Sequence, residues 1–224
     1  MQVDFAAKEL TVKLVYYGPA LSGKTTNLRA LHWLTTPETC GELMTLETQN
    51  DRTLFFDMLP VTVDSKTGLK VRLKLFTVPG QVMHDATRRL VLQAADGVAF
   101  VADSQKSEAE ANRESFANLK ENLREIGIDP EQIPIIIQFN KRDLDEIRSD
   151  EELAELAARS KATIYKAIAT RGYGVVPTLL GLIRETWNHL ERQHGLEEKF
   201  GIGAMSLMTE VESKLKHDPR LRER

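Results

Sequence analysis

Residues 18–25 read Gly-Pro-Ala-Leu-Ser-Gly-Lys-Thr and match the phosphate-binding pattern GxxxxGKS/T. Glycine lets the backbone curl, so that successive N–H groups can point at phosphate oxygens. Lys24 would supply a mobile positive charge to the β- and γ-phosphates of a nucleotide, and Thr25 would offer a hydroxyl to Mg²⁺. The residues expected to line the phosphates are Gly18, Ala20, Ser22, Gly23, Lys24, Thr25 and Thr26.

A chance match on a glycine-containing turn is the alternative interpretation, and the flanking sequence argues against it. The apolar run Val12 to Tyr17 precedes the loop and predicts a strand, while Thr25 to Leu34 predicts the helix that follows. A helix in that place would add its positive N-terminal end to the phosphate site. Strand, loop and helix therefore stand in the order that a phosphate-binding loop requires.

Residues 140–143, Asn-Lys-Arg-Asp, form a second pattern, NKxD, which bears on the choice of purine. The apolar run Pro134 to Asn140 predicts a buried strand, so the pattern falls at the sheet edge where open α/β folds bind ligands. The Asp143 carboxylate can accept hydrogen bonds from guanine N1 and from the exocyclic amine of guanine. Adenine would leave this carboxylate unpaired, so the pattern favours guanine. The alternative, a helix cap with surface charges, is weakened by the phosphate-binding loop upstream.

The bulk composition excludes several classes of function. A net charge of −3 and a pI near 6.0 give no reason to expect nucleic acid or anionic lipid as the main partner. Cys40 is the single cysteine, which excludes an internal disulfide and fits a reducing compartment. The sequence shows no secretory leader, no lipidation motif and no apolar run near the ~20 residues of a membrane helix. We therefore expect a cytoplasmic protein with no direct membrane anchor.

The elements that must position these residues alternate between strand and helix, which predicts an α/β fold with a mostly parallel sheet and helices on both faces. Residues 54–63 and 69–77 are β-rich and are joined by a turn-rich link, so we expect a hairpin. Gly97 to Asp103 is an apolar run typical of a central strand. The other predicted elements are a strand over 163–168 and helices over 107–126, 149–159 and 175–194, the first with Ser107 as N-cap and Gly127 as stop.

The motifs, in their order along the chain, resemble those of a Ras-like small GTPase. After the phosphate-binding loop come Asp51 to Thr53, Thr77 to Gln81, residues 140–143 and Ile168 to Thr170. More narrowly, the stretches YYGPALSGKTTNL, DRTLFFD, FTVPGQ and GVAFVADS resemble the bacterial MglA-type GTPases, which are known for gliding motility and cell polarity. The similarity covers residues 11–190 and implies a three-layer Ras-like P-loop fold.

The resemblance implies two switch segments that respond to the γ-phosphate. Thr53 matches a threonine whose hydroxyl meets Mg²⁺ and whose N–H meets the γ-phosphate, and Gly80 matches a glycine whose N–H meets the same phosphate. Gln81 matches the glutamine that orients the attacking water. Arg52 matches an arginine supplied from the protein's own chain, and such fingers raise the rate by ~10³–10⁵. An ordinary surface charge is the alternative for Arg52. The implied catalytic residues are Gln81, Arg52 and Lys24.

At the base, the resemblance implies contacts from four residues. Asn140 and Asp143 belong to the guanine-binding pattern, Lys141 would lay its stem over the base, and the Ala169 N–H would meet guanine O6. The implied metal residues are Thr25, Thr53 and, through water, Thr77.

Some positions depart from the Ras pattern. Thr77 stands where most Ras relatives have an aspartate, so we expect weaker magnesium binding, although this threonine is typical of the MglA group. Ala20 replaces a glycine, and its bulk would obstruct a finger that arrives from a partner, which favours Arg52 acting from within. Around Ala169, the serine and lysine usual in the guanine loop are both replaced.

Two regions lie outside the Ras pattern. The stretch from Lys24 to Thr53 is longer than in Ras, and we expect residues 41–47 to add an edge strand that shifts with the nucleotide state. In the tail, one helix is predicted from an apolar stripe of Ile202, Met205, Met208, Val211 and Leu215. We expect this amphipathic helix to fold back on its own domain, with docking on a partner as the alternative. The predicted division is a Ras-like GTPase domain over 1–195 and a helical extension over 196–224.

The leading hypothesis is a molecular switch that binds GTP with Mg²⁺, hydrolyses it to GDP and controls cell polarity or motility. The implied partners are guanine nucleotide, a roadblock-domain activator of the MglB kind and effectors of that machinery, with recruitment to the cell poles. One alternative is a GTP-dependent scaffold that recruits such proteins and hardly turns over. Another is an ATP-using P-loop enzyme such as a small-molecule kinase, although the sequence shows no sign of an acceptor pocket or lid.

Overall fold

The computed structural model describes residues 1–36, 39–47, 55–65, 67–80, 85–160 and 162–214. These ranges contain the whole phosphate-binding loop, residues 140–143 and Ala169. Arg52, Thr53 and Gln81 lie outside the described residues, so their roles stay predictions.

One mixed sheet forms the centre of the described structure. Its strands are β1 (Gln2–Asp4), β2 (Glu9–Tyr17), β3 (Met44–Glu47), β4 (Phe55–Asp64), β5 (Lys70–Thr77), β6 (Gly97–Asp103), β7 (Ile135–Asn140) and β8 (Ile164–Lys166). The order across the sheet is β3-β4-β5-β2-β6-β7-β8, with β1 beside the first residues of β2. β2, β5, β6, β7 and β8 run parallel, whereas β1, β3 and β4 are antiparallel to their neighbours. The predicted fold class, hairpin and additional edge strand are confirmed, and β3 and β8 are shorter than expected.

Helices cover both faces of this sheet. They are α1 (Lys24–Leu34), α2 (Asp85–Leu92), α3 (Ala109–Glu125), α4 (Asp150–Arg159), α5 (Val175–His194), α6 (Leu196–Phe200) and α7 (Ala204–Ser213). One apolar core lies under α1, α5 and α7, and a second lies under α2, α3 and α4. β6 is buried along its whole length, as expected for a central strand with helices on both sides. None of the described helices combines the length and apolarity that crossing a bilayer requires.

The starts of two helices show how local hydrogen bonding sets their boundaries. Lys106–Glu108 form a 3₁₀ turn, and α3 begins only at Ala109, with no side chain capping its first turn. The prediction of Ser107 as the N-cap is therefore wrong, because the 3₁₀ turn contains this serine and the N-cap position of α3 is occupied by Glu108. At α4 the Ser149 side chain accepts the Glu152 N–H, and the Glu152 carboxylate accepts the Ser149 N–H.

The C-terminal tail forms two short helices, α6 and α7, and α7 confirms the amphipathic helix predicted over residues 202–215, with shorter bounds. α6 ends at Phe200 and Gly201, and α7 begins at Ala204. Of the predicted apolar stripe, Ile202 and Val211 are buried, whereas Met205 is 71% exposed and Leu207 is buried instead. The predicted apolar stripe is therefore only partly right, and Leu215 lies outside the described residues.

The tail nevertheless folds back on its own domain, as expected. Ile202 and Val211 are buried, and α7 packs against α5 and β4. The Trp187 indole N–H donates to the Ile202 carbonyl (3.1 Å), which fixes the entry to α7 against α5. The Thr36 N–H donates to the Lys214 carbonyl (3.1 Å), so the end of the tail also meets the chain that leaves α1. The proposed domain division at residue 195 stays a prediction.

Candidate nucleotide-binding site

The predicted site residues meet at one edge of the sheet. The parallel strands β2, β5 and β7 all end there, at Tyr17, Thr77 and Asn140. Because β4 runs antiparallel to β5, the first residues of β4 lie at the same edge. The loops that follow these strands therefore lie where ligands bind in open α/β sheets.

The phosphate-binding loop leaves β2 in a backbone conformation that two of its residues can adopt only as glycine. Gly18 has φ 149°, and a Cβ there would lie 2.2 Å from the Val101 carbonyl oxygen. Gly23 has φ 102°, and a Cβ there would lie 2.2 Å from Nδ2 of Asn140. The loop thus passes in close contact with β6 and with the strand end that carries the second motif, β7. This close passage explains why the pattern needs glycine at both positions.

Lys24, the first residue of α1, is buried, with 7% of its surface exposed. Its ammonium donates to the carbonyls of Gly18 (2.9 Å) and Pro19 (2.6 Å). An ammonium has three donors, and these two bonds use two of them. Burial, with a smaller contribution from the positive charge of Arg88, lowers the Lys24 pKa to about 7. A negatively charged ligand at the loop would oppose both effects.

Asp57, near the start of β4, gathers three threonine hydroxyls around a largely buried carboxylate. Thr25 donates to its Oδ2 (2.5 Å), Thr77 donates to the same oxygen (3.1 Å), and Thr45 donates to Oδ1 (3.0 Å). The Asp57 N–H in turn donates to the Thr77 hydroxyl (2.8 Å). The cluster joins α1, β3, β4 and β5 beside the phosphate-binding loop. We call this part of the site the phosphate end.

The donor set of this cluster has the chemistry of a magnesium site. Mg²⁺ takes oxygen ligands, and it is usually held by one or two carboxylates together with substrate phosphates. The cluster supplies one carboxylate and three hydroxyls, all oxygen. Within the described ranges, no group of three or more His, Cys, Asp or Glu side chains could hold a metal ion. The residues present therefore fit a cation shared with a phosphate ligand.

Asn140 holds the part of the site where the base is expected, which we call the base end and which comprises Asn140, Lys141, Asp143 and Ala169. Its side-chain Nδ2 donates to the Ser22 carbonyl in the phosphate-binding loop (2.8 Å), and its Oδ1 accepts the Ala169 N–H (2.9 Å). Asn140 is 3% exposed and Ala169 is also buried, so both bonds lie inside the protein. One amide thus joins the phosphate-binding loop to the loop after β8.

Ion pairs position the two charged residues of the second motif. The Lys141 ammonium lies 2.6 Å from Oδ2 of Asp103, at the end of β6, which fixes the direction of its stem. The Asp143 carboxylate lies 3.5 Å from the Arg171 guanidinium, in the turn that contains Ala169. Both charges are therefore anchored by the loops that surround the expected base pocket.

A cavity of about 620 Å³ lies between the phosphate-binding loop and the end of β5. It brings together several of the predicted residues, namely Ala20, Gly23, Lys24, Thr25, Thr26, Thr77 and Gly80. Gly80 closes one side of this cavity, because a Cβ there would lie 2.3 Å from the Cα of Ala20. Asn140, Lys141, Asp143 and Ala169 lie at the base end rather than in this cavity, linked to it through Ser22.

Sequence reasoning missed Asp57, Thr45 and Asp103 as parts of the site. For Asp57 a signal existed, since a single carboxylate stands among Phe55, Phe56, Met58 and Leu59 in a segment predicted as a strand. An acidic residue in an apolar strand needs a partner or a ligand, because a buried unpaired charge is costly. Nothing in the local sequence singles out Thr45 or Asp103.

Comparison with known proteins identifies a relative of this chain. No protein-family model matches the chain. The chain is similar to the mutual gliding-motility protein MglA of Myxococcus xanthus (strain DK1622), with 45% identity over 190 residues. The aligned region covers 85% of this chain and 97% of that protein.

Proposed function

Because the chain belongs to the MglA-type branch of the Ras-like small GTPases, we propose that it is a molecular switch that binds GTP with Mg²⁺ and hydrolyses it to GDP. Membership of this family confirms the resemblance that the motifs indicate, and with it guanine-nucleotide binding in general. We also propose the residue roles, the magnesium ligands and the partners. The observation that carries them is the Asn140 amide, which bonds to the phosphate-binding loop and to the Ala169 loop at once.

At the base, Asp143 would select guanine. Its carboxylate would accept hydrogen bonds from guanine N1 and the exocyclic amine. The Ala169 N–H already donates to Asn140 Oδ1, so the predicted contact with guanine O6 would require this donor to be shared between the two oxygens. Lys141, anchored on Asp103, would cover one face of the base with its stem. Asn140 supports this arrangement from behind, since it holds the Ala169 loop at a set distance from Ser22.

At the phosphates, the main chain of the loop and Lys24 would bind the β- and γ-oxygens. Two donors of the Lys24 ammonium already meet loop carbonyls, so the third would be directed at phosphate. Ser22 and Thr26 would help to shape the loop and the first turn of α1 around the ligand. A triphosphate would also favour the charged form of Lys24, because an opposite charge nearby raises the lysine pKa.

Mg²⁺ would be held by Thr25 together with the Asp57 carboxylate, and Thr53 and Thr77 stay the other proposed metal residues. When bound, Mg²⁺ would neutralise charge on the β- and γ-phosphates. Thr77 would act mainly by holding Asp57, since the two residues exchange hydrogen bonds. Weaker magnesium binding was expected because threonine at position 77 is neutral, and the Asp57 carboxylate beside it would supply a negative charge in its place.

For hydrolysis, Gln81 would orient the attacking water and Arg52 would offset charge that develops on the transferred phosphoryl group. Gly80 would contact the γ-phosphate through its N–H. Gly80 lies against Ala20, which leaves little room for a partner's arginine to pass between them. This contact supports an arginine supplied from within the chain.

The cellular role follows from the relative, which is a mutual gliding-motility protein. We infer that this chain controls motility or polarity, with a roadblock-domain protein of the MglB kind as its activator and recruitment to the cell poles as one of its states. Effectors would read the difference between the GTP and GDP forms.

The test measures nucleotide choice and turnover separately. Purified protein with Mg²⁺ is titrated with fluorescent GDP and GTP analogues, and excess ATP is added as competitor. Single-turnover phosphate release is then followed for wild type, Gln81→Ala and Arg52→Ala, with and without a roadblock-domain protein. Gln93→Ala and Arg89→Ala serve as controls, because both residues lie outside the site.

We expect ATP to compete poorly and both site variants to slow phosphate release by at least about tenfold, as for lost transition-state contacts. Equal competition by ATP would refute the guanine assignment. Unchanged release in both site variants would refute the catalytic assignment and leave a GTP-dependent scaffold as the better description.

A further inference from the structure

Arg88, on α2, is a charged side chain enclosed in the protein interior, and it is not among the residues that we propose to contact GTP. Only 1% of its surface is exposed. Burying a guanidinium costs free energy unless its donors are satisfied. Asp85, one turn earlier on α2, contributes a carboxylate 3.6 Å away, and the Asp85 side chain is itself 35% exposed. The other contacts of Arg88 must therefore provide most of the hydrogen-bond acceptors that its buried guanidinium needs.

One side of the guanidinium holds the loop that follows β5. Its Nε donates to the Pro79 carbonyl (3.1 Å) and its Nη2 donates to the Gly80 carbonyl (2.6 Å). These are consecutive carbonyls, and the next residue in the chain is Gln81. Because Gly80 also lies against Ala20, the guanidinium and the phosphate-binding loop hold this glycine between them.

The other side of the guanidinium faces β2 and α3. Its Nη1 donates to Oδ1 of Asn118 (2.5 Å) and lies 3.4 Å from the Tyr17 hydroxyl, and the guanidinium carbon lies 5.6 Å from the centre of the Tyr17 ring. The Tyr17 hydroxyl donates to the same Asn118 oxygen (2.5 Å). Tyr17 is the last residue of β2, directly before Gly18. Arg88 therefore ties the Gly80 loop to the strand that leads into the phosphate-binding loop.

This geometry requires arginine. Its planar fork presents several donors at fixed angles, whereas lysine offers one compact ammonium. A lysine at position 88 would keep the positive charge but could not reach the Pro79 and Gly80 carbonyls and Asn118 at the same time. The Arg88→Lys substitution therefore keeps the positive charge and removes the hydrogen-bonding geometry.

We propose that Arg88 is a positioning residue of the GTPase reaction, whose guanidinium holds Gly80 against the phosphate-binding loop so that the Gly80 N–H faces the γ-phosphate. This inference rests on the proposed function, in which Gly80 contacts that phosphate. Arg88 touches none of the residues assigned to the base, and its bonds to the Gly80 loop concern only the third phosphate. Its loss should therefore weaken GTP binding and hydrolysis while leaving GDP binding intact.

The experiment compares Arg88→Lys with Arg89→Lys, a matched control on the next residue of α2 whose side chain is 36% exposed and pairs with Glu125 on the surface. Dissociation constants are measured for GDP and for a non-hydrolysable GTP analogue, together with single-turnover phosphate release. For Arg88→Lys we expect release to fall by about tenfold to a hundredfold, as for a misplaced reacting group. The ratio of GTP-analogue to GDP affinity should fall several-fold, with GDP affinity unchanged, and Arg89→Lys should match wild type.

Asn118→Ala provides a second variant that keeps Arg88 itself and removes one of its anchors. It should change the affinity ratio and the release rate in the same direction, by a smaller factor, and it decides the matter if Arg88→Lys fails to fold. Equal losses of GDP and GTP-analogue affinity would mean a merely structural role and overturn the proposal, as would wild-type behaviour in the variants. Failure of wild type to bind guanine nucleotide would instead refute the proposed function.

Discussion

The two ends of the nucleotide site are held in different ways. At the base end, the Asn140 amide is bonded on both sides to main-chain groups, and both bonds are buried. At the phosphate end, Lys24 bonds to carbonyls of its own loop, and Thr25 bonds to the Asp57 carboxylate. The base end is thus built from contacts that a ligand leaves in place. The phosphate end is built from groups that a phosphate and a cation would themselves engage.

We therefore expect the hydrogen bonds of the base end to stay in place when a nucleotide binds and those of the phosphate end to be exchanged. The base end is called the fixed end and the phosphate end the adjustable end. Breaking a buried bond without replacing it costs ~1–3 kcal/mol, whereas exchanging one partner for another costs little net. Behind the base end, Asn27 and Gln138 exchange hydrogen bonds in both directions (2.9 Å each), which further joins α1 to β7. We therefore expect the base end to set affinity and the phosphate end to report which nucleotide is bound.

The largest expected effect comes from removing the carboxylate at the fixed end. Asp143→Ala would delete two hydrogen bonds to a charged acceptor, worth ~1.5–3 kcal/mol each, so GDP and GTP affinity should both fall by ~10²–10⁴. Competition binding with fluorescent GDP measures this loss, and Asp145→Ala in the same loop is the control. A loss confined to GTP would contradict the assignment of Asp143 to the base, because GDP and GTP carry the same base.

A somewhat smaller effect, dependent on magnesium, is expected at the adjustable end. Asp57→Asn keeps the shape of the side chain but removes its charge, so magnesium should bind ~10–100-fold more weakly, as for a hydrogen bond to a charged group. Nucleotide affinity with excess chelator should be unchanged, which a titration with and without Mg²⁺ checks. If affinity drops equally in chelator, Asp57 serves the fold rather than the cation.

The Lys24 pKa of about 7 predicts a pH effect at the adjustable end. Because bound phosphate would raise this pKa, binding above pH 7 takes up a proton, and affinity should fall by at most about tenfold per pH unit. In the protein without nucleotide, the unfolded chain binds more protons between about pH 7 and 10.5, so this group makes stability rise with pH across that window. Below about pH 7 both effects vanish.

Calorimetric titrations in two buffers with different ionisation enthalpies count the protons taken up on binding. Lys24→Arg is the control, since a guanidinium does not titrate in this range. Equal proton uptake by wild type and by this variant would assign the effect to another group.

The smallest expected effect tests a single hydroxyl of the Asp57 cluster. Thr45→Val removes one of the three hydroxyls that position the Asp57 carboxylate but leaves its charge in place. We therefore expect an effect no larger than an ordinary hydrogen bond, ~0.5–1.5 kcal/mol, or about twofold to tenfold in magnesium affinity. Thr62→Val, further along β4, is the control. The change should appear in magnesium titrations of the GTP complex, and a shift in GDP affinity under chelator would argue that Thr45 acts on the base end after all.

Much of the fold could be predicted because the element boundaries depend on local signals. The bounds of α5 match the prediction to the residue, since an apolar helical pattern lies between Gly174 and Gly195. The tail was harder: glycines at 201 and 203 separate two short helices, and which side chains face inward depends on the packing against α5 and β4 rather than on period alone. Met205, which the pattern placed on the apolar face, is consequently exposed, and Leu207 is buried instead.

The sequence by itself determined the ligand class of this protein, because the groups proposed to meet the phosphates lie close together along the chain, as do those of the motif proposed to meet the base. Loop, lysine and threonine lie within residues 18–25, and the guanine motif lies within residues 140–143. Tertiary structure alone decided which residues from distant parts of the chain meet these groups. Asp57 reaches Thr77 only through the antiparallel register that pairs Met58 with Phe76. Arg88 likewise meets Asn118 only because α2 packs against α3. Such contacts join residues far apart in the chain, so local spacing carries no record of them.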